Sequence, residues 1–246
     1  MNRARRPYVI CHMVPSIDGR IVTAGWRLPA GVLAEYERTA RTFDADGWMI
    51  GRISMVPYAG KARIPPRKVR RAIPRRDFIA RSDAGTYAIA LDPSGKLTWK
   101  SGSLDGEHVI TVLTEKVPDD YLAFLRSKGV SYLFGGRTEV NLRRVLEKLE
   151  KEFGIKKLLL EGGGRINGSF LAADLIDELS VLLAPIADGS IGTPSLFDAR
   201  EGTGLARRLK LVSFEKRAGD LRWLRYTRRR GGQRRRDAGF AGADSS

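Results

Sequence analysis

The chain has 246 residues, 42% hydrophobic and 29% charged, with one cysteine and two histidines. That is ordinary globular usage over a length able to bury a large core. It excludes wholesale disorder, an internal disulfide and a Cys- or His-based metal cage. The formal net charge is +16, and residues 1–6, 61–81 and 225–246 carry all of the excess. A nucleic-acid reader would place its basic stripe on the folded body, whereas runs at the ends and in one Pro/Arg-rich stretch describe a solvated periphery. Apolar runs such as 158–160 and 181–184 are far too short to span a bilayer, and no signal-peptide core follows the basic start. A soluble, cytoplasmic protein is expected.

Taken in chain order, the first strand is expected over 8–13 from its apolar and β-branched content. Cys11 and His12 lie within it, so one of them is expected to face the core, and neither has a visible partner for nucleophilic or metal chemistry. A turn rich in Pro, Ser, Asp and Gly follows, Val14-Pro15-Ser16-Ile17-Asp18-Gly19-Arg20-Ile21, with Trp26 a little further on. Such a turn off a strand end is where open α/β sheets collect ligands, although an Asp-Gly pair is often only a turn. Asp18 could accept hydrogen bonds from a heterocycle and Trp26 could wall it.

A helix is expected over 33–43, then a strand over 47–50 that ends in Gly51-Arg52-Ile53-Ser54. Arg52 and Ser54 stand where a helix could begin, and an arginine there suits an extra phosphate such as the 2′-phosphate of NADPH. The alternative is a plain surface arginine. Residues 61–82, with Pro65, Pro66 and Pro74, read as a long basic surface loop. Strands are expected over 87–91, 108–113 and 131–134, the last ending in Gly135-Gly136-Arg137, where Gly135 is another candidate backbone donor. Helices are expected over 119–127, with Pro118 in the first turn, and over 140–152. In the second, Leu142, Val145, Leu146 and Leu149 fall on one face.

The strand expected over 157–160 runs into Glu161-Gly162-Gly163-Gly164-Arg165-Ile166-Asn167-Gly168, with a short helix over 166–173. Glycines permit close approach, and the first amides of a helix have no internal partners, so this turn can receive a phosphate. A tight structural turn is the alternative. A dinucleotide Gly-x-Gly-x-x-Gly counted from Gly162 fails at Asn167, and a P-loop counted from Gly163 fails after Gly168. Strands over 178–184, 209–215 and 221–226 complete the chain, the last two separated by Ala218-Gly219-Asp220. Strand–helix alternation predicts a parallel sheet, and the final pair an antiparallel hairpin. The fold class is therefore α/β, a single domain over 7–228 with a mixed sheet flanked by helices. A basic arm (1–6) precedes it, and a basic, disordered tail (229–246) follows.

Together, the Ser16–Gly19 turn, Asp46-Gly47-Trp48-Met49-Ile50-Gly51-Arg52, Leu-Leu-Leu-Glu-Gly-Gly-Gly at 158–164 and Leu183-Ala184-Pro185-Ile186-Ala187-Asp188-Gly189 resemble the riboflavin-pathway pyrimidine reductase family. That family comprises the reductase portion of bifunctional RibD enzymes and its stand-alone relatives. The resemblance covers roughly 7–226. It implies a dihydrofolate reductase-like fold and an NADPH-dependent reduction, in which the ribose of a ribosylamino-pyrimidine 5′-phosphate becomes a ribityl chain. It further implies that Gly162, Gly163, Gly164, Arg165, Ile166 and Gly168 cradle the pyrophosphate. Gly51, Arg52 and Ser54 would hold the adenosine phosphate end, and Ser16 would lie near the nicotinamide. Asp18, Trp26 and Glu161 would face the substrate.

Asp18, partly desolvated against Trp26 and so raised in pKa, is the candidate proton path. A homodimer joined at a sheet edge is expected, with no metal, no membrane partner and nucleic acid disfavoured. The zinc deaminase half of bifunctional relatives cannot be built with one cysteine. The basic stretch at 61–82 departs from the family, which leaves a pteridine or another heterocycle as an alternative substrate. An anionic-surface or nucleic-acid binder on a reductase-like core is the alternative of another class.

Overall fold

The computed structural model describes residues 5–28, 30–59, 72–199 and 206–228. Seven parallel strands form the body of one sheet: β1 (Tyr8–Met13), β2 (Gly47–Gly51), β3 (Tyr87–Leu91), β5 (Glu107–Thr114), β6 (Ser131–Gly136), β7 (Lys157–Leu160) and β8 (Glu178–Leu183). Their order across the sheet is β6-β5-β3-β2-β7-β1-β8. Beyond β8 come the antiparallel strands β10 (Arg222–Arg228) and β9 (Leu209–Lys216), which form the expected hairpin, and the two-residue β4 (Ser103–Leu104) pairs antiparallel with the start of β5. All seven parallel strands therefore point their C-terminal ends to one rim, with β7 inserted between β1 and β2.

Burial explains the near-continuous apolar runs, since both faces of the sheet are covered. On one face, Val9, Cys11, Met49, Leu158 and Leu160 pack with Val145, Leu146 and Leu149 of α4 (Leu142–Phe153) and Phe170 of α5 (Gly164–Ala172). On the other face the core divides. Ile10, Leu159 and Leu182 pack under α1 (Val32–Arg41) with Phe43 and Trp223, and a second group packs with α2 (Arg52–Ala59) and α3 (Asp119–Ser127). Trp48 touches both groups from the floor of the gap between α1 and α2. Cys11 and His12 are both buried, one on each face of β1, so the expectation that only one faces the core is corrected.

Strand and helix positions follow the sequence closely, with informative exceptions. Helix α4 starts at Leu142 because the Asn141 side chain accepts the Arg144 amide at 3.0 Å and caps it. Helix α5 starts at Gly164, two residues early. Helix α2 has no expected counterpart beyond its start, because Pro57 interrupts its pattern from within. The basic stretch is not a free loop over its described half. Phe78 bridges Tyr132 of β6, Arg75 pairs with Asp119, and Asp77 pairs with Lys148 at 2.7 Å, which covers the β6 edge of the sheet. Residues 60–71, the tail from 229 and residues 1–4 lie outside the described residues. Arg6 of the basic arm is docked, donating to both carboxylate oxygens of Asp177 at 2.6 and 2.9 Å. Among the described residues no helix is long and apolar enough to cross a membrane.

Candidate active site

The parallel rim closes most tightly between β2 and β7. The Glu161 amide donates to the Met49 carbonyl at 3.0 Å, so pairing continues past β7 and brings Gly51 beside Gly162. Gly162 has no room for a side chain, because a Cβ there would lie 2.5 Å from Ile50 Cβ, and a Cβ at Gly51 would push on the tip of Ile166, 2.8 Å away at Cδ1. Helices α2 and α5 consequently begin next to each other. Gly163 differs from its neighbours. Its backbone lies at φ 73°, ψ 134°, and the nearest atom to a Cβ there would be Ser54 Oγ at 3.7 Å. The amides of Ile166 and Asn167 both donate to the Gly163 carbonyl, while those of Gly164 and Arg165 have no acceptor among the described residues. An open, left-handed glycine beneath two free amides at a helix N-terminus fits a phosphate group.

The rest of the glycine run serves the protein itself. A Cβ at Gly164 would meet the Ser195 carbonyl at 2.3 Å, and one at Gly168 the Asp198 carbonyl at 2.4 Å. Those two positions are small because the segment around 195–198 packs on the first turns of α5. Arg165 is exposed and shares a separate groove of about 790 Å³ with Arg20, Ser169 and Thr193. Gly135 is not brought to the crevice. Strands β5 and β3 stand between β6 and β2, and Gly135 is closed against Val140. Arg52 opens α2 with its Nε 4.0 Å from Oδ1 of the fully buried Asp92, an oxygen with no hydrogen-bond donor. The other oxygen, Oδ2, accepts the amides of Lys96 and Leu97 at 2.6 and 2.8 Å.

The turn after β1 is stitched to the loop after β8. Buried Ser16 donates to Asp18 Oδ1 at 2.6 Å and accepts the Arg20 amide at 2.9 Å. Asp18 also accepts the amides of Asp188 and Gly189 at 3.0 and 2.9 Å. Three donors on an exposed carboxylate hold Asp18 well below the usual carboxylate range, the Ser16 hydroxyl contributing most. This corrects the expectation of a raised pKa. The Trp26 ring does not desolvate Asp18, because its Nε1 donates to Asp188 instead. Asp18 is thus a fixed acceptor that latches two loops, and it carries no proton near neutrality.

The proton-bearing carboxyl is Glu161. It stands at the head of a cleft of about 700 Å³ that runs down the sheet between α1 and α2, with Trp48, Ile50 and Leu159 as floor and Ser54 and Tyr58 on the α2 side. Burial lifts its carboxyl to about 7; the neighbouring Tyr36 hydroxyl opposes the rise, and Glu37 and Glu107 add to it. A carboxyl that is half-protonated near neutrality at the mouth of a cleft is equipped for general acid work. The sequence reading names Glu161 but not Tyr36 or Asp92. Tyr36 lies in α1 and Asp92 directly follows β3, where the sequence pattern reports burial and not chemistry. Asp188 is visible only as part of the Ala-Pro-Ile-Ala-Asp-Gly run.

The geometry agrees with what comparison finds. Residues 7–222 match the RibD C-terminal domain. The chain is 26% identical over 208 residues to the 2,5-diamino-6-ribosylamino-4(3H)-pyrimidinone 5′-phosphate reductase of Methanothermobacter thermautotrophicus, covering 84% of this chain and 90% of that one. The crystal structure of a pyrimidine reductase-like protein from Corynebacterium diphtheriae superimposes with a TM-score of 0.69 at 19% identity, over 91% of this chain and 92% of that one. The deaminase/reductase of Thermotoga maritima superimposes at 0.59 with 14% identity, over 91% of this chain and 57% of that longer one. With its crevice at β2 and β7 and its mixed sheet of dihydrofolate reductase type, the chain belongs to the RibD C-terminal domain family of riboflavin-pathway reductases, which work with a nicotinamide cofactor.

Proposed function

We propose that the protein reduces a ribosylamino-pyrimidine 5′-phosphate to its ribityl form with NADPH, in the crevice where α2 and α5 begin. The observation that carries this reading is the adjacency of two features in the turn between β7 and α5. A phosphate cradle at Gly163 lies two residues from a carboxyl, Glu161, whose proton affinity sits near neutrality. The free amides of Gly164 and Arg165 and the Ser54 hydroxyl would hold the cofactor diphosphate, with Arg52 at its adenosine end. When bound, the cofactor supplies the hydride.

Opening a ribosylamine to a ribityl chain adds one hydride to the anomeric carbon, breaks its bond to the ring oxygen and delivers one proton to that oxygen. Glu161, buried at the head of the cleft, would give that proton. Asp18, ionised and latched to Asp188 and Gly189, keeps the 16–20 turn seated over the crevice. Trp48 and Leu159 give the heterocycle an apolar floor. The homodimer expected from the family finds support at the end of the sheet, where β9 exposes Leu211, Val212 and Phe214.

Arg52 provides a direct test of cofactor choice. Losing a phosphate-paired arginine should weaken NADPH binding by about 10- to 100-fold and leave NADH nearly unaffected. Titration of both cofactors into Arg52→Ala checks this. An unchanged ratio would reduce Arg52 to the counter-ion of Asp92 and move the phosphate contact elsewhere.

A further inference from the structure

Strand register brings Arg52 and Asp92 together. Gly51 of β2 pairs with Leu91 of β3, so each is the first residue beyond a matched pair on neighbouring parallel strands. They are buried very differently. The Asp92 carboxyl is fully enclosed, whereas the Arg52 side chain is 37% exposed. An enclosed carboxyl needs partners for both of its oxygens. Oδ2 has them, since it accepts the Lys96 and Leu97 amides and the Tyr121 hydroxyl of α3 lies 3.3 Å away. The Asp92 carbonyl also accepts the Gly95 amide at 3.0 Å. The 92–97 turn thus closes on its own aspartate and fixes the direction of the carboxyl. Oδ1 has no hydrogen bond, and the one cationic atom within 4.0 Å of it among the described residues is Arg52 Nε.

Which nitrogen faces Oδ1 matters. A guanidinium presents five N–H donors in one rigid plane. A carboxyl met at Nε leaves the terminal nitrogens free for a second oxyanion, and the exposure of the side chain keeps them reachable. Asp92 itself is too deeply enclosed to touch a cofactor, so it can act only through Arg52.

We propose that Asp92 is a positioning residue for cofactor choice, its Oδ1 steadying Arg52 at Nε so that the terminal nitrogens face the 2′-phosphate of NADPH. This deepens the reading above and rests on it. A steadied arginine loses less rotamer freedom on binding than a free one. A shortening of about 1 Å on binding would also bring Nε within hydrogen-bond range of Oδ1 and supply the donor that oxygen lacks. Carboxylate and phosphate are then served by different edges of one plane.

The test measures NADPH and NADH affinity for the wild-type protein, Arg52→Ala, Asp92→Asn and the double variant, with circular dichroism on each. Asparagine can still accept the Lys96 and Leu97 amides, but it turns an uncharged amide group towards Arg52. In Asp92→Asn, NADPH binding should weaken by about 10-fold and NADH binding by less than about twofold. Added to Arg52→Ala, the same substitution should change the ratio no further, because no arginine remains to be steadied. An unchanged ratio, equal losses for both cofactors, or a further change of ratio in the double variant would overturn the proposal and leave Asp92 a turn residue. Should Asp92→Asn fail to fold, Arg52→Lys decides. Lysine keeps the charge without the plane, so the preference for NADPH should fall by about 10-fold. A preference kept within about twofold would show that a bare charge suffices and that the carboxyl positions nothing. Failure of the underlying reading looks different: Arg52→Ala alone would leave the ratio unchanged.

Discussion

Glu161→Gln is expected to lower kcat by about 10²- to 10⁴-fold, the usual loss when a general acid is removed, with a much smaller effect on cofactor affinity. Glutamine keeps the shape of the side chain, so the loss isolates the proton. The same substitution should stabilise the protein in one pH range only. Burial raises the folded-state carboxyl from an ordinary 4.5 to about 7, so between those values the folded state binds more protons than the unfolded chain. Wild-type stability must then fall as pH rises through that window and stay lower above it. Gln has no proton to lose. The two melting temperatures should coincide near pH 4 and diverge at pH 8 in favour of the variant, by about 2–4 °C for each kcal/mol relieved. Turnover and thermal melts at both pH values check the pair of effects.

Gly163→Val is expected to weaken NADPH binding by roughly 100-fold or more, the equivalent of losing the charge-assisted bonds of the two free amides. The space at Gly163 is open, so the folded core has nothing to push against; the cost to the fold is the backbone at φ 73°, of order 1–3 kcal/mol. Calorimetric titration of NADPH beside circular dichroism separates the two effects. A folded variant with unchanged affinity would remove Gly163 from the cofactor site. At Gly164 or Gly168 a side chain would instead strike the 195–198 backbone, so binding and folding would be lost together.

That contrast shows what the sequence could and could not convey. Strand positions were legible because β7 and β3 are buried on both faces, which demands runs such as Leu158–Leu160, and α4 was legible from its one-sided leucines. The run of glycines marked the tight turn that opens α5, yet their separate surroundings depend on Ile50 and Asp198, which are distant in the chain. Asp18 was visible as a polar residue at a strand end, but its depressed pKa comes first from the Ser16 hydroxyl, aimed at it only in the folded turn, and then from the amides of Asp188 and Gly189, some 170 residues away. The cleft itself had no local signature. It exists because the core on one face divides between α1 and the α2–α3 pair, with Trp48 between them, and only the assembled sheet reveals that division.

The most direct measurement is turnover with the phosphorylated ribosylamino-pyrimidine and NADPH carrying deuterium at the transferable position. The account predicts that cofactor oxidation requires the pyrimidine, that the product gains one deuterium at the former anomeric carbon, and that the rate falls as pH rises through about 7. Reduction of a pteridine or another heterocycle in its place would contradict the substrate assignment. Absence of any cofactor oxidation, together with salt-dependent binding of the chain to DNA, would contradict the account as a whole.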